Sequence, residues 1–259
     1  MGASILLLST RSSEHWTCNG QHAGNFRKSA DVLGRREDGT DDMASYKLHS
    51  TTQPALHQMR AHTENYEVEV GGMSIIVEPG VWSPAYDWSG QFMIDNLPSL
   101  TGKDVLEVGC GSGLISVHAG RSGAKHLTSV DINPKAVENT SMNFRKHGIN
   151  CGDAFVSDGF SKVRGDFDVV IFNAPYHGCK PADLLEYACA DEDYRALRGF
   201  FRDVLNHLRQ DGVIMLGFSE SGDMELFRSL ITKYKLEVRR ELSEWKHEYN
   251  CMVFELSKG

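Results

Sequence analysis

Val105-Leu106-Glu107-Val108-Gly109-Cys110-Gly111-Ser112-Gly113 is the stretch that decides the fold of this chain. A mostly apolar strand runs into three glycines at every second position, and a helix is expected after them. Glycine lets the backbone turn sharply and approach a ligand with no Cβ in the way. The spacing is E-x-G-x-G-x-G rather than the G-x-G-x-x-G that seats a pyrophosphate on a helix N-terminus. Glu107, ahead of the first glycine, would repel a phosphate and suits a cationic ligand that carries an amino group. The plainer alternative is a tight strand–helix turn with no ligand.

Outward from this turn the pattern alternates. Strands are expected at 104–109, 127–132, 153–157, 167–173 and 212–218, and helices at 113–121, 134–147, 192–208 and 221–234. Two last runs, 236–242 and 249–256, read as an antiparallel hairpin. Alternating strands and helices predict an α/β, doubly wound Rossmann-like sheet, mainly parallel, with helices on both faces. Ligands of such sheets sit beyond the carboxyl ends of the strands, near the switch point.

Upstream, Tyr66 to Val70 and Met73 to Val77 flank Gly71-Gly72 and read as a β-hairpin. A weak helical pattern covers 45–60, Pro79-Gly80 marks a turn, and 86–97 reads as an amphipathic helix. Residues 1–42 mix Ser, Arg, Asp and Gly without periodicity, as a poorly ordered extension would. The expected organisation is therefore 1–42 as extension, 43–100 as an N-terminal lid with its hairpin, and 101–259 as the ligand-binding core.

Further candidates fall at strand ends. Asp131 follows Gly109 by 22 residues and can accept hydrogen bonds from two ribose hydroxyls, as acids at this place in nucleoside sites do. Asn133 and Pro134 are a helix cap and first-turn residue, so Asp131 is not needed as the cap. Ile132 offers an apolar face for adenine. Asp158, before Gly159, can accept from an adenine amino group or serve as a plain turn residue.

Phe167 to Phe172 is an almost wholly apolar strand that ends in Asn173-Ala174-Pro175-Tyr176. The Asn173 amide and the carbonyl of Ala174 or Pro175 can hold an amine with its lone pair toward an electrophilic carbon. The Tyr176 ring can lie against a reacting cation, a contact of about 0.5–2 kcal/mol. A rigid turn with Tyr176 in the core is the alternative.

Taken together, the glycine turn, Asp131, Asp158-Gly159 and Asn173 to Tyr176 resemble the class I S-adenosylmethionine-dependent methyltransferases. More narrowly they resemble the small-domain branch, whose members carry Asn-Pro-Pro-Tyr and modify nitrogen, and Pro79 to Ser83 is similar to that branch's lead-in. The resemblance covers about residues 64–257. It implies S-adenosylmethionine as the bound small molecule, with Glu107, Gly109, Gly111, Gly113, Asp131, Ile132, Asp158, Gly159 and Ala174 around it. No metal is expected, because no further ligand residue stands at metal-site spacing from His177 and Cys179 beside Pro175. Ala174 departs from the pattern, since the branch has proline there, and this loosens the turn or makes room.

Residues 43–100 are rich in aromatics and histidines and contain no evident substrate-recognition domain. As a lid they would suit a small acceptor, or none. On that ground the chain is also similar to bacterial azetidine-2-carboxylate synthases. That resemblance implies attack of the α-amine of S-adenosylmethionine on its own γ-carbon, with release of methylthioadenosine. Tyr176 and Asn173 would be catalytic, Trp82 would sit against the sulfonium, and Asn139 would line the cleft. The alternatives are N-methylation of a small molecule, protein amide or nucleobase, and a non-catalytic binding module.

Composition sets bounds. The chain has 259 residues, 41% hydrophobic, 24% charged, with a net charge of −8. The acidic balance argues against a nucleic-acid backbone as the main partner. Its six cysteines form no C-x-x-C pair, which fits reduced thiols in a cytoplasmic protein. The run Ile5 to Leu8 is too short for a secretory apolar segment, which needs roughly 7–15 residues.

Overall fold

The computed structural model describes residues 48, 50–246 and 249–259. The expectation for residues 1–42, and that for the start of the 45–60 helix, lie outside them. The described chain runs through Thr52–Ala61 (α1), Tyr66–Val70 (β1), Met73–Val77 (β2), Ser89–Asp95 (α2), Asp104–Val108 (β3), Leu114–Arg121 (α3) and His126–Asp131 (β4). It continues through Pro134–His147 (α4), Gly152–Val156 (β5), Phe167–Asn173 (β6), Arg195–Asp203 (α5), Leu208–Phe218 (β7), Met224–Lys233 (α6), Leu236–Lys246 (β8) and Tyr249–Lys258 (β9).

One sheet has the order β5-β4-β3-β6-β7-β9-β8. The pairs β3–β4, β4–β5, β3–β6 and β6–β7 are parallel, whereas β9 is antiparallel to both β7 and β8. The chain moves outward from β3 to β5 and then returns to the other side of β3 as β6. The switch point therefore lies between β3 and β6, where ligands bind in this architecture. The glycine turn leaves β3 there, and Asn173 to Tyr176 leave β6 beside it.

Strand β6 shows why the sheet is buried on both faces. Val170 and Phe172 join one apolar cluster, with Leu197, Phe200 and Phe201 of α5 and Phe227 of α6. Val169 and Ile171 point the other way, to a cluster with Ile115 of α3 and Phe144 of α4. The period of two in side-chain direction turns one apolar run into two cores.

The β1–β2 hairpin forms where the sequence placed it. Met73, Ile75 and Val77 belong to the same cluster as Ile115 and Phe144. The Asn143 side chain donates to Ile76 O at 2.7 Å. The hairpin is thus tied to the core helices.

Three departures from expectation have a visible cause, beside shifts of a few residues at the start of α6 and the end of β8. The helix foreseen at 192–208 is confined to α5, with 3₁₀ turns at Glu192–Tyr194 and Val204–Asn206. Asp193 and Tyr194 have φ of +55° and +52°, which breaks the helix before α5. Tyr194 is buried, donates its OH to Tyr176 O at 3.2 Å and accepts from Asp223 N at 2.9 Å. These tertiary bonds override the local amphipathic pattern. The helix foreseen at 86–97 starts only at Ser89, because Asp87 turns the chain by accepting from Ser89 N at 2.9 Å. Strand β7 begins at Leu208 rather than 212, since Leu208 pairs with Phe167 across a register shift.

Candidate active site

A cleft of about 610 Å³ opens at the carboxyl ends of the parallel strands. Its floor is built by the turn after β3. Gly109, Gly111 and Gly113 have φ of +73°, +53° and +83°, a region costing other L-residues roughly 1–2 kcal/mol. A Cβ on Gly113 would lie 3.0 Å from Thr140, whereas one on Gly111 would meet nothing within 4 Å. Gly113 is thus needed for packing, and Gly111 leaves bare backbone facing open space.

Glu107 borders the cleft but is only 2% exposed. The Ser116 hydroxyl donates to its carboxylate and lies 2.6 Å from the Ser129 hydroxyl. Burial pushes the Glu107 carboxyl up to about 8, against the hydrogen bond from Ser116, and the nearby Asp131 charge adds to the rise. A buried acid of this kind is relieved by a cation, since an opposite charge favours its ionised form.

Asp131 ends β4 and borders the same cleft. Its two oxygens accept from Gly111 N and Asn133 N, each at 2.9 Å. Burial raises its pKa, opposed by these backbone bonds. Asn133 caps α4 by accepting from Lys135 N at 3.0 Å. Asp131 therefore links the glycine turn to the start of α4, and each oxygen retains a lone pair for a ligand hydroxyl. Ile132, Asp158 and Gly159 line the cleft beyond it, with Asp158 exposed. This wall of bare turn backbone carries two acids, Asp131 and Asp158, that can accept hydrogen bonds from ligand hydroxyl or amino groups.

At the other wall β6 ends in the amide corner. Asn173, Ala174, Pro175 and Tyr176 all border the cleft. Ala174 N donates to Gly217 O at 3.1 Å, and Asn173 Nδ2 donates to Ser89 Oγ at 2.9 Å. Burial, and then the negative charge of Asp87, raise the Tyr176 phenol, which stays neutral. Trp82 also borders the cleft, with Nε1 donating to Asp87 Oδ2 at 2.9 Å.

Asn139 lies elsewhere. It is fully buried in α4 and does not border the cleft. Its Oδ1 accepts from Glu78 N at 2.7 Å, and its Nδ2 donates to Ile76 O at 2.7 Å and Ser112 O at 3.4 Å. The geometry makes it a brace between the end of β2 and the glycine turn, not a cleft residue.

Sequence reasoning passed over Asp87, Ser89 and Tyr249. Asp87 reads locally as a helix-start residue, and Tyr249 is 162 positions away, yet its OH donates to Asp87 Oδ1 at 2.8 Å. Only the run Trp82-to-Ser89 beside the lead-in could have hinted at the first two. Over the segment after the corner lies α1. Leu56 and Met59 pack on Leu185, Cys189 and Ala190, and Arg60 pairs with Asp183 and Glu186 at 2.8 and 2.7 Å. Among the described residues no group of three or more His, Cys, Asp or Glu is placed to hold a metal ion.

The methyltransferase small domain family model matches residues 72–235. A candidate protein N5-glutamine methyltransferase of Methanocaldococcus jannaschii is 32% identical over 183 residues, 68% of this chain and 91% of that one. The ribosomal RNA small subunit methyltransferase C of Escherichia coli is 38% identical over 152 residues, and the match spans 58% of this chain but only 41% of that protein. Among solved structures, the T. thermophilus 16S ribosomal RNA N2-guanosine methyltransferase, in complex with S-adenosylmethionine and guanosine, superimposes with a TM-score of 0.57. It is 19% identical and the match covers 74% of this chain and 50% of that one, a likeness of fold.

Proposed function

The chain belongs to the methyltransferase small domain family and is an enzyme that uses S-adenosylmethionine, and from that premise we propose that it methylates a planar nitrogen, a side-chain amide or an exocyclic base amine. The observation that carries this reading is the corner of Asn173, Ala174, Pro175 and Tyr176 at the cleft wall opposite Asp131.

S-adenosylmethionine supplies an electrophilic methyl on a sulfonium. Glu107, Gly111, Asp131 and Ile132 hold its amino acid and nucleoside ends, and Asp158 with Gly159 borders the adenine. Asn173 accepts an N–H of the acceptor, with help from the Ala174 or Pro175 carbonyl, so that the nitrogen lone pair faces the methyl carbon. As the nitrogen–carbon bond forms, the carbon–sulfur bond breaks with its electron pair on sulfur, and the extra proton passes to water. Trp82 and Tyr176 give apolar ring surface to the cation, whose charge disappears in the step. Positioning two reactants in this way supplies on the order of 7 kcal/mol in the best cases.

The relatives above are named as methyltransferases, which favours methyl transfer over ring closure to azetidine-2-carboxylate and over a non-catalytic module. The acidic net charge pointed away from nucleic acid; relatives named for ribosomal RNA take away that ground, and a base amine stands beside an amide as acceptor. No described helix is long and apolar enough to cross a membrane. The unpaired Cys110, Cys151, Cys179, Cys189 and Cys251 support a reducing, cytoplasmic setting.

The test is incubation with S-adenosylmethionine alone, then with glutamine-bearing proteins and with ribosomal RNA, with products read by mass spectrometry. Acceptor-dependent S-adenosylhomocysteine with a methylated nitrogen is the expected result. Methylthioadenosine and an azetidine acid from S-adenosylmethionine alone would overturn it in favour of ring closure. Binding without any product would leave only a module.

A further inference from the structure

Asp87 gathers four donors on one carboxylate. Oδ2 accepts from Trp82 Nε1 at 2.9 Å and Ser89 Oγ at 2.7 Å, and Oδ1 accepts from Ser89 N at 2.9 Å and Tyr249 OH at 2.8 Å. An ionised carboxylate only accepts. The indole and backbone N–H groups only donate, so each oxygen already faces one donor that cannot reverse. The Ser89 hydroxyl has a single proton, and it goes to Asp87. What Ser89 then offers Asn173, 2.9 Å away, is a lone pair. An amide's oxygen and nitrogen are told apart by the hydrogen bonds around them. Here the network admits one answer: Asn173 turns its NH₂ to Ser89 and its carbonyl oxygen the other way, over the bare Cα of Gly217.

We propose that Asp87 is a positioning residue that sets the polarity of the Asn173 amide through Ser89, so that the acceptor nitrogen meets an oxygen and not an NH₂. The inference deepens the nitrogen-methylation reading and rests on it for its consequence in turnover. With Asp87 made neutral and able to donate, Ser89 is free to donate to Asn173. The amide can then rotate and set N–H against the acceptor's own N–H, which forms no bond. Burial and the Asp87 charge both raise the Tyr249 phenol, so Tyr249 keeps its proton and remains a donor to Asp87.

The experiment uses the full chain in four forms: wild type, Asp87→Asn, Ser89→Ala and the double variant. The Asn173 side-chain NH₂ resonance is followed by ¹⁵N NMR, assigned by its loss in Asn173→Asp. S-adenosylhomocysteine affinity is read by calorimetry, and kcat and KM with the acceptor found above. Expected are a displaced Asn173 resonance in Asp87→Asn and in Ser89→Ala and a fall in kcat of about tenfold or more. Cofactor-product affinity stays within about threefold, less than one good hydrogen bond is worth. In the Ser89→Ala background, Asp87→Asn then adds nothing to the loss, because the relay is already cut. Ser89→Ala leaves Trp82 and Tyr249 on Asp87, so it keeps the test decisive if Asp87→Asn fails to fold. An unmoved Asn173 resonance in Ser89→Ala, or losses that multiply in the double variant, would overturn the proposal. If no acceptor is methylated by the wild type, the functional reading falls, and the resonance still decides whether Asp87 orients Asn173.

Discussion

Gly217 and Asn173 face each other across β7 and β6, and a methyl group on Gly217 would overlap the Asn173 carbonyl oxygen. The missing side chain at 217 is what lets the amide stand at the cleft wall. Gly217→Ala is therefore expected to displace Asn173 and reduce kcat/KM by about 10²-fold, the scale of a 1 Å misplacement. S-adenosylhomocysteine binding should persist, and calorimetry alongside the methylation assay separates the two effects.

Asp131→Ala removes the carboxylate that holds Gly111 N and Asn133 N. It should weaken S-adenosylmethionine binding by about 10–100-fold, the loss of one or two charge-assisted hydrogen bonds. Isothermal titration measures this; an unchanged affinity would take Asp131 out of the nucleoside site.

Tyr176→Ala should act on turnover more than on binding. A ring against a cation accounts for about 0.5–2 kcal/mol, so kcat falls by a factor of about 2–30 while cofactor affinity changes little. Single-turnover rates at saturating S-adenosylmethionine read the difference.

Asn139→Ala should behave as a stability variant. It leaves Glu78 N without its acceptor and Ile76 O without one of its donors. Each buried group left unpaired costs about 1–3 kcal/mol, and at this chain length 1 kcal/mol lowers Tm by about 2–4 °C. A Tm equal to wild type combined with a large kcat loss would return Asn139 to the chemistry.

Glu107 makes stability depend on pH. Burial raises its folded value from 4.5 to about 8, so the folded state holds the proton more tightly than the unfolded chain. The stability linked to that proton is complete below about pH 4.5 and is lost as pH rises through about 8. Glu107→Gln carries no ionisable group, so its Tm should fall less between pH 5 and 9 than that of wild type. Parallel Tm curves for the two proteins would show that Glu107 is not the group responsible.

Much of the fold was legible because burial leaves a period in the chain. The β1–β2 hairpin, the glycine turn and α4 were placed from alternation, caps and glycine spacing, and β6 from a continuous apolar run. The elements misjudged are those whose limits are set at a distance. Tyr194 reads as one more residue of an amphipathic helix, yet bonds to Tyr176 O and Asp223 N break the helix there. Asn139, read as a cleft residue, is claimed by the end of β2 more than 60 positions away.

By itself the sequence determined a mainly parallel sheet and the two strand-end motifs, since apolar period and glycine freedom are local properties of the chain; the strand order that puts the switch point between β3 and β6 came from the tertiary structure. Only the tertiary structure decided how those motifs are held. Asp87 reaches Tyr249, Ser89 reaches Asn173, and Gly217 gives the amide room, through contacts between residues as much as 162 positions apart. Hydrogen-bond polarity passes through space along such contacts and leaves no period in the chain from which it could be read.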